Sequence, residues 1–377
     1  MERKNKYHIP IRIICTVLFA AFSFLYIYLF QGELLALLQD HLSKGVTSNN
    51  ALGTALIITL LLLFVQWGVN HLSKLHGSWE ALSYVPSCVL LALFTAIDGD
   101  TVHYSPSKWI WGVVLCFLFY VFIVWMERRI IALSRPSLMK QLWPNMMTFA
   151  MLFVVTAQIG NHATAQHMEL AAWKYLHESD YEAILKVGKQ SDDYNVGLTT
   201  LRNLAMLKTG TLPVRLFSYP QPYGADGLVY HDGARYAENY SAKDFYTHLG
   251  TQPNEGESGR DFAQRLYATV DSVTYRDWYL AALLLEKDLE TLAPELDVML
   301  QEGGNLPTCY QEALLLYNTQ HPEAPIAFVP DAEIVADYEA YCQLQKENAD
   351  NRVVARNKAI RQYGNTYWNY YDYSAEE

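Results

Sequence analysis

Five stretches within the first 160 residues are each long and apolar enough to cross a hydrocarbon layer, and no other feature limits the fold of this chain so strongly. A bilayer core takes ~20 helical residues at ~1.5 Å rise, with a range of ~17–25. The stretches run over residues 13–31, 51–70, 81–97, 109–126 and 143–160. LIITLLLLFV in the second and GVVLCFLFYVFIV in the fourth are the clearest; the third and fifth are shorter and carry Pro86 and Pro144 near their starts. A single buried core helix would not recur five times. The first stretch follows Arg3, Lys4 and Lys6, as a signal peptide would, but its apolar part outruns the usual ~7–15 residues and ends in YIYLFQGE without a small-x-small cleavage site. It reads as a retained first helix.

Charge divides the chain at the same place. Residues 1–160 hold 11 Lys/Arg and 7 Asp/Glu, whereas residues 161–377 hold 17 and 32, for net charges of +4 and −15. The acidic half has no basic face for phosphates, so a nucleic-acid partner is not expected. With the N-terminus in the cytoplasm, nine basic residues (Arg3, Lys4, Lys6, Arg12, Lys74, Arg128, Arg129, Arg135, Lys140) fall inside and only Lys44 and Lys108 outside. An odd number of spans then carries residues 161–377 across the membrane, into the periplasm of a bacterium. Trp67, Trp79, Trp109, Trp111, Trp125 and Trp143 lie near span ends, where amphipathic rings favour the headgroup layer. The span interiors contain no Asp, Glu, Lys, Arg or His, which disfavours a carrier with a charged relay. Gln66, Asn70, Asn145 and Gln158 sit near span ends, and headgroup contact is the simpler reading of them, ahead of hydrogen bonds between helices.

From Asn161 onward the apolar residues recur with a period near 3.6 rather than two. Ten stretches read as short helices: 168–179, 180–190, 196–210, 241–250, 260–273, 276–288, 289–303, 308–320, 331–348 and 352–364. Gly210, Gly250 and Gly303 stand at expected stops, and Ser179–Asp180 and Asp331 at expected starts. AAWKYLHESDYEAILKVGKQ carries Trp173, Tyr175, Leu176, Tyr181 and Ala183 in a tetratricopeptide-like (TPR-like) order, without a recurring 34-residue consensus. The stripe Ala281, Leu284, Leu285, Leu289 reads as core. Residues 217–236, with Pro220, Pro222 and three glycines, break the helical pattern; self-packing is the first reading of this tyrosine-rich segment and contact with a partner the second.

The segments NLAMLKTGTLPVRLFSYPQ (203–221), YLAALLLEKDLETL (279–292), LPTCYQEALLLY (306–317) and YGNTYWNYYDY (363–373) resemble those of an uncharacterised family of bacterial, Bacteroidota-type membrane proteins. The resemblance implies hydrophobic spans first and a TPR-like exported domain after, with no established activity. No catalytic residue follows from it.

Chemical constellations are sparse. Asp98-Gly-Asp100, in the expected exported loop, reads as an ordinary turn before it reads as a catalytic or metal pair. His71 and His76, and His162 and His167, are five apart and so do not share a helix face as metal ligands at i, i+4 would. Cys15, Cys88 and Cys116 lie in spans; Cys309 and Cys342 read as free buried thiols ahead of a disulfide. CxxC, Walker-type, GxSxG and HExxH motifs are absent. The rings of residues 363–373 suit a terminal cap of an array, or an aromatic platform for sugars.

The expected fold is therefore all-α: a polytopic transmembrane bundle of about five spans over residues 1–160, then a degenerate TPR-like α-solenoid over 161–377. The expected function is a membrane-anchored scaffold or interaction protein of the cell envelope, in the bacterial inner membrane, with no cofactor and no metal. Its partners would be the lipid bilayer and a periplasmic protein. The alternative is a membrane enzyme acting on a lipid-linked or glycan substrate through Asp98 and Asp100. Binding candidates are Tyr219, Tyr223, Tyr230, Tyr367 and Trp368.

Overall fold

The computed structural model of the chain describes residues 7–47, 50–97, 137–189, 191, 193–231, 238–271 and 273–374, together with Trp111, Gly112, Val114, Leu118 and Val121. Among these residues the regular elements are helical and no strand occurs. The chain divides into two units, Met1–Leu170 with Asp232–Ser241, and Ala171–His231 with Ala242–Glu377.

In the first unit, four helical segments are long and apolar enough to cross a membrane: His8–Ser43, Ala51–Ser73, Gly77–Thr95 and Leu138–Ile159. They coincide with the expected spans 13–31, 51–70, 81–97 and 143–160. The expected span 109–126 lies outside the described residues, apart from the five single residues named above, which are helical. The first segment is 36 residues long, well beyond the 13–31 expected. Hydropathy marks where a helix is oil-soluble and not where it ends. Glu33 and Asp40 interrupt the apolar run, but Leu34, Leu35 and Leu37 are buried and the helix continues to a left-handed Lys44 at φ 53°. Its N–H is donated back to the Asp40 carbonyl. A π-helical turn, Tyr26–Gln31, interrupts the segment, and there Gln31 Nε2 donates to Tyr26 Oη (3.2 Å) and to the Asn161 carbonyl (2.9 Å).

Two helices of this unit are built with their polar residues on the inward side. In Ala51–Ser73 the buried residues are Ala55, Thr59, Leu62, Gln66 and Asn70, while Leu56, Ile57, Leu60, Leu61, Phe64 and Trp67 face out. In Leu138–Ile159 the buried set is Gln141, Asn145, Phe149 and Thr156, with Met147, Met151 and Val154 exposed. An apolar solvent favours this arrangement, because a buried polar group then finds its partners inside the protein. Asn145 shows the principle. Fully buried, it accepts the Ala81 N–H (2.7 Å) and donates to the carbonyls of Gly77 (2.7 Å) and Gln141 (2.7 Å). It thereby supports the 3-10 segment Gly77–Tyr84 that leads into the helix Val85–Thr95. Beside it, Gln66 Nε2 donates to Ser83 Oγ (3.0 Å), and Asn70 Nδ2 donates to Glu80 Oε1 (3.3 Å). Arg12 Nε lies 3.8 Å from the same Glu80 oxygen.

These contacts correct two sequence expectations. Gln66, Asn70 and Asn145 bridge helices and do not face headgroups; only Gln158 is exposed. The third membrane-length segment also begins earlier than the expected 81 and takes in a charged residue: Glu80 is 0% exposed and lies within the apolar segment Gly77–Thr95. Its Oε1 takes the Asn70 and Arg12 contacts, while Oε2 is buried without a hydrogen-bond partner.

The second unit carries its helices where the 3.6-residue period places them: Tyr181–Lys186, Val196–Lys208, Ala242–Leu249, Gly259–Arg265, Arg276–Leu285, Leu289–Gln301, Thr308–Gln320, Ala332–Glu347 and Arg352–Tyr363. The expected segment 168–179 falls on Thr164–His177. Gly210, Gly250 and Gly303 adopt the left-handed conformation that ends a helix cheaply only for glycine. Asp180 caps its helix by accepting the Ala183 N–H (3.0 Å). From Arg276 to Tyr363 each helix packs on the next. Two short helices, Leu212–Arg215 and Tyr367–Tyr373, were not expected, and both pack on Thr308–Gln320 far along the chain. Ala281, Leu284, Leu285 and Leu289 are core as anticipated, alongside the fully buried Trp173, Trp278 and Trp368.

Replacing Asn145 with leucine leaves the Ala81 N–H and Gly77 carbonyl without their partner. The substitution is expected to lower the resistance of the full-length protein to detergent-induced unfolding by roughly 2 kcal/mol. Stability unchanged in SDS titration of Asn145→Leu would contradict the role given to the asparagine.

Candidate functional site

The second unit contains an open cleft of about 670 Å³, within the size range of small-ligand sites. One wall is the chain from Phe217 to Pro222. The opposite wall is the C-terminal half of Arg352–Tyr363, with Arg356, Ile360 and Arg361, and the floor comes from the tail helix Tyr367–Tyr373 through Asn369, Tyr370 and Tyr373.

Each wall has a local cause. Pro220 and Pro222 prevent Phe217–Pro222 from continuing the helical turn before it. The segment is held from beneath by Gln221, whose Nε2 donates to Asn203 Oδ1 (3.0 Å) and to the Leu216 carbonyl (3.0 Å). Asn203 Nδ2 donates in turn to the Gly227 carbonyl (3.0 Å). The tail helix starts at Thr366, whose Oγ1 accepts the Asn369 N–H (3.4 Å). Buried Glu312, on Thr308–Gln320, accepts the Tyr367 N–H (2.7 Å) and so pins that start.

Tyrosine hydroxyls fasten the rings. Tyr219 Oη donates to the Leu185 carbonyl (2.5 Å), Tyr370 Oη to that of Leu285 (2.8 Å), and Tyr373 Oη to Gln345 Oε1 (2.7 Å). Burial pushes the Tyr370 phenol up to about 12, so it remains a donor. Leu185 and Leu285 lie in the last turns of their helices, whose carbonyls have no intrahelical partner. Behind Tyr219 lies Arg202, 2% exposed, with its guanidinium 4.8 Å from the ring centre and Nη2 donating to the Val187 carbonyl (2.7 Å). Burial lowers its pKa, and Tyr219 opposes that shift. Among the described residues, no acidic side chain lines the cleft.

Of the binding candidates read from the sequence, only Tyr219 lines the cleft. Tyr223 is half-buried, with its ring edge-on to Tyr194 at 6.4 Å, and Tyr194 does line it. Tyr230 is buried: its hydroxyl accepts the Trp173 Nε1–H (3.1 Å), and Tyr246 Oη accepts its N–H (3.0 Å). Tyr367 and Trp368 are 0% and 1% exposed, packed against Phe217 and against Tyr338 and Tyr341. Both rings are buried in the tail rather than open to the cleft. From the same tail the structure brings Asn369, Tyr370 and Tyr373 to the cleft instead. A legible signal for the opposite wall was the helix RVVARNKAIRQY, which has four basic residues and no acidic one in a strongly acidic half.

Asp98 and Asp100 lie outside the described residues. Among the described residues no group of three or more His, Cys, Asp or Glu side chains is placed to hold a metal ion. Cys309 and Cys342 are free thiols, the first buried and the second half-buried.

The model of a family of unknown function, DUF6057, matches residues 101–253 and 260–374. The chain belongs to this family. The match takes in the regions of the last two expected spans and both walls of the cleft. No curated protein and no solved structure matches the chain.

Burial raises the Glu312 carboxyl from its ordinary 4.5 to about 8, with Asp337 adding to the shift and the Tyr367 N–H opposing it. Between those values the folded unit binds a proton that the unfolded chain has released, so stability falls as pH rises. Glu312→Gln keeps an acceptor for Tyr367 and removes the titration. Its melting temperature is expected to decline less than that of the parent between pH 5 and pH 8, removing a slope of up to ~1.4 kcal/mol per pH unit. Parallel curves by differential scanning calorimetry would contradict this.

Proposed function

We propose that the chain is a membrane-anchored interaction protein of the cell envelope. The apolar helices of the first unit hold it in the bacterial inner membrane, and the second unit, a degenerate TPR-like array, presents a recognition cleft on the periplasmic side. The observation that carries the binding role is the cleft itself. It combines fixed tyrosine rings, two arginines and buried Asn369, and among the described residues no carboxylate lines it, within a half of the chain whose net charge is −15. The nine-to-two bias of basic residues supports the orientation, with the short loops retaining Lys and Arg on the cytoplasmic side.

The binding and enzymatic readings separate by mutation. In a strain lacking the gene, Asp98→Ala with Asp100→Ala is expected to complement as the parent does, and Arg356→Glu with Arg361→Glu to fail at equal protein level. The reverse pattern would favour a membrane enzyme. A periplasm-dependent alkaline phosphatase fused after Glu377 is expected to be active; an inactive fusion that folds in the cytosol would overturn the orientation.

A further inference from the structure

In the first unit, the helix His8–Leu25 and the segment Gly77–Tyr84 meet in a ladder of three polar rungs. The His8 ring lies against that of His76, 4.4 Å between centres; Arg12 Nε lies 3.8 Å from Glu80 Oε1; and Thr16 Oγ1 lies 2.8 Å from Tyr84 Oη. Four residues of the first helix advance about 6 Å, so the rungs lead inward one turn at a time. The outer end is open, with His76 exposed and Arg12 half-exposed. It is the end at which Ala51–Ser73 finishes and Leu138–Ile159 starts, cytoplasmic in the orientation proposed above. The inner end is shut. Tyr84 is fully buried, with its ring packed on Phe19 (4.9 Å) and Phe149 (5.2 Å).

The middle rung is short of one hydrogen. Glu80 Oε1 accepts from Asn70 Nδ2 (3.3 Å) and faces Arg12, whereas Oε2 is buried without a donor. Oδ1 of the same Asn70 is also buried without a donor. A proton on Oε2 answers both. The acid O–H then donates to Asn70 Oδ1 while the amide N–H donates to Oε1, the mutual pairing of a carboxylic acid with a primary amide.

Few other groups compete for that proton. The first helix presents Arg12 and Cys15 to Glu80, and its own segment presents His76 and Tyr84. Ala51–Ser73 and Leu138–Ile159 present the amides Asn70 and Asn145, while His71, Lys74 and Lys140 at their ends are exposed. The helix Val85–Thr95 contains no charged residue.

We propose that Glu80 is a proton-binding site of the first unit, loaded from the cytoplasmic end through His8 and His76 and held as an acid–amide pair with Asn70. A hydronium ion protonates an imidazole of the outer rung; the imidazolium passes the proton to Glu80 Oε2, and the ring returns to neutral. On release the proton retraces this path, since Phe19 and Phe149 close the inner end. The ionised carboxyl then shifts its contacts from Asn70 of Ala51–Ser73 towards Arg12 of the first helix, so the packing of these helices responds to the proton.

Infrared difference spectra of the full-length protein in lipid nanodiscs, pH 5 minus pH 8, test the site through the carbonyl band of protonated carboxyls. The parent is expected to show a band that Glu80→Gln lacks; Glu312 contributes to both spectra and cancels between them. Asn70→Leu, checked by its melting temperature, is expected to move the Glu80 band to higher frequency as the acid loses its amide. After a pH jump, His8→Phe with His76→Phe, which keeps the stacked rings, is expected to slow the appearance of the band roughly tenfold. Parent and Glu80→Gln spectra without a difference overturn the site. A Glu80 band unmoved by Asn70→Leu overturns the acid–amide pair, and uptake as fast in the double histidine variant overturns the path.

Discussion

A polar group in an apolar solvent has only the protein to bond with, and the first unit is arranged around that constraint. Asn145 bonds to helix backbones, accepting from Ala81 and donating to Gly77 and Gln141, and Asn70, Gln66 and Arg12 converge on Glu80 and Ser83. These contacts decide which side of each helix turns inward. Were Ala51–Ser73 rotated by half a turn, Gln66 and Asn70 would lose Ser83 and Glu80 and face hydrocarbon, at several kcal/mol per unsatisfied group. The apolar residues then fall on the outside by default. The same helix in water would be built with the opposite face inward.

The second unit meets a related constraint at its helix ends. Its helices are short, so a large share of its backbone carbonyls belong to helix ends without intrahelical partners. Tyrosine supplies donors there. Tyr219 reaches Leu185, Tyr275 reaches Leu249 (2.5 Å) and Tyr370 reaches Leu285, each a carbonyl in the last turn of a helix. A ring that caps a distant helix also links two segments far apart in sequence, so helix ending and tertiary packing are satisfied together. The cleft is a by-product of this economy: the rings that fasten the tail and the 217–222 segment leave their faces between the two walls.

Much of this architecture was legible residue by residue. The apolar runs located four spans, and the 3.6-residue period together with Gly210, Gly250 and Gly303 located the helices of the acidic half. What escaped belongs to interactions distant in sequence. Glu80 falls outside the expected span 81–97, because local hydropathy does not register its contacts with Arg12 and Asn70. The cleft joins segments more than 130 residues apart, and no local pattern marks them as neighbours. In the tail, composition alone could not tell which of several adjacent aromatics face inward. The helix Tyr367–Tyr373 decides it, burying Tyr367 and Trp368 and leaving Tyr370 beside the opening.

The account depends on the outer face of the first unit meeting hydrocarbon. Spin labels placed singly at Leu56, Leu60 and Phe64, and at Val329 of the second unit, in a protein reconstituted into liposomes with its native cysteines replaced, measure this through collision with oxygen and with a water-soluble nickel chelate. The first three positions are predicted to collide with oxygen and hardly with nickel, and Val329 the reverse. Frequent nickel collisions at Leu60 would place that face in water and contradict the account.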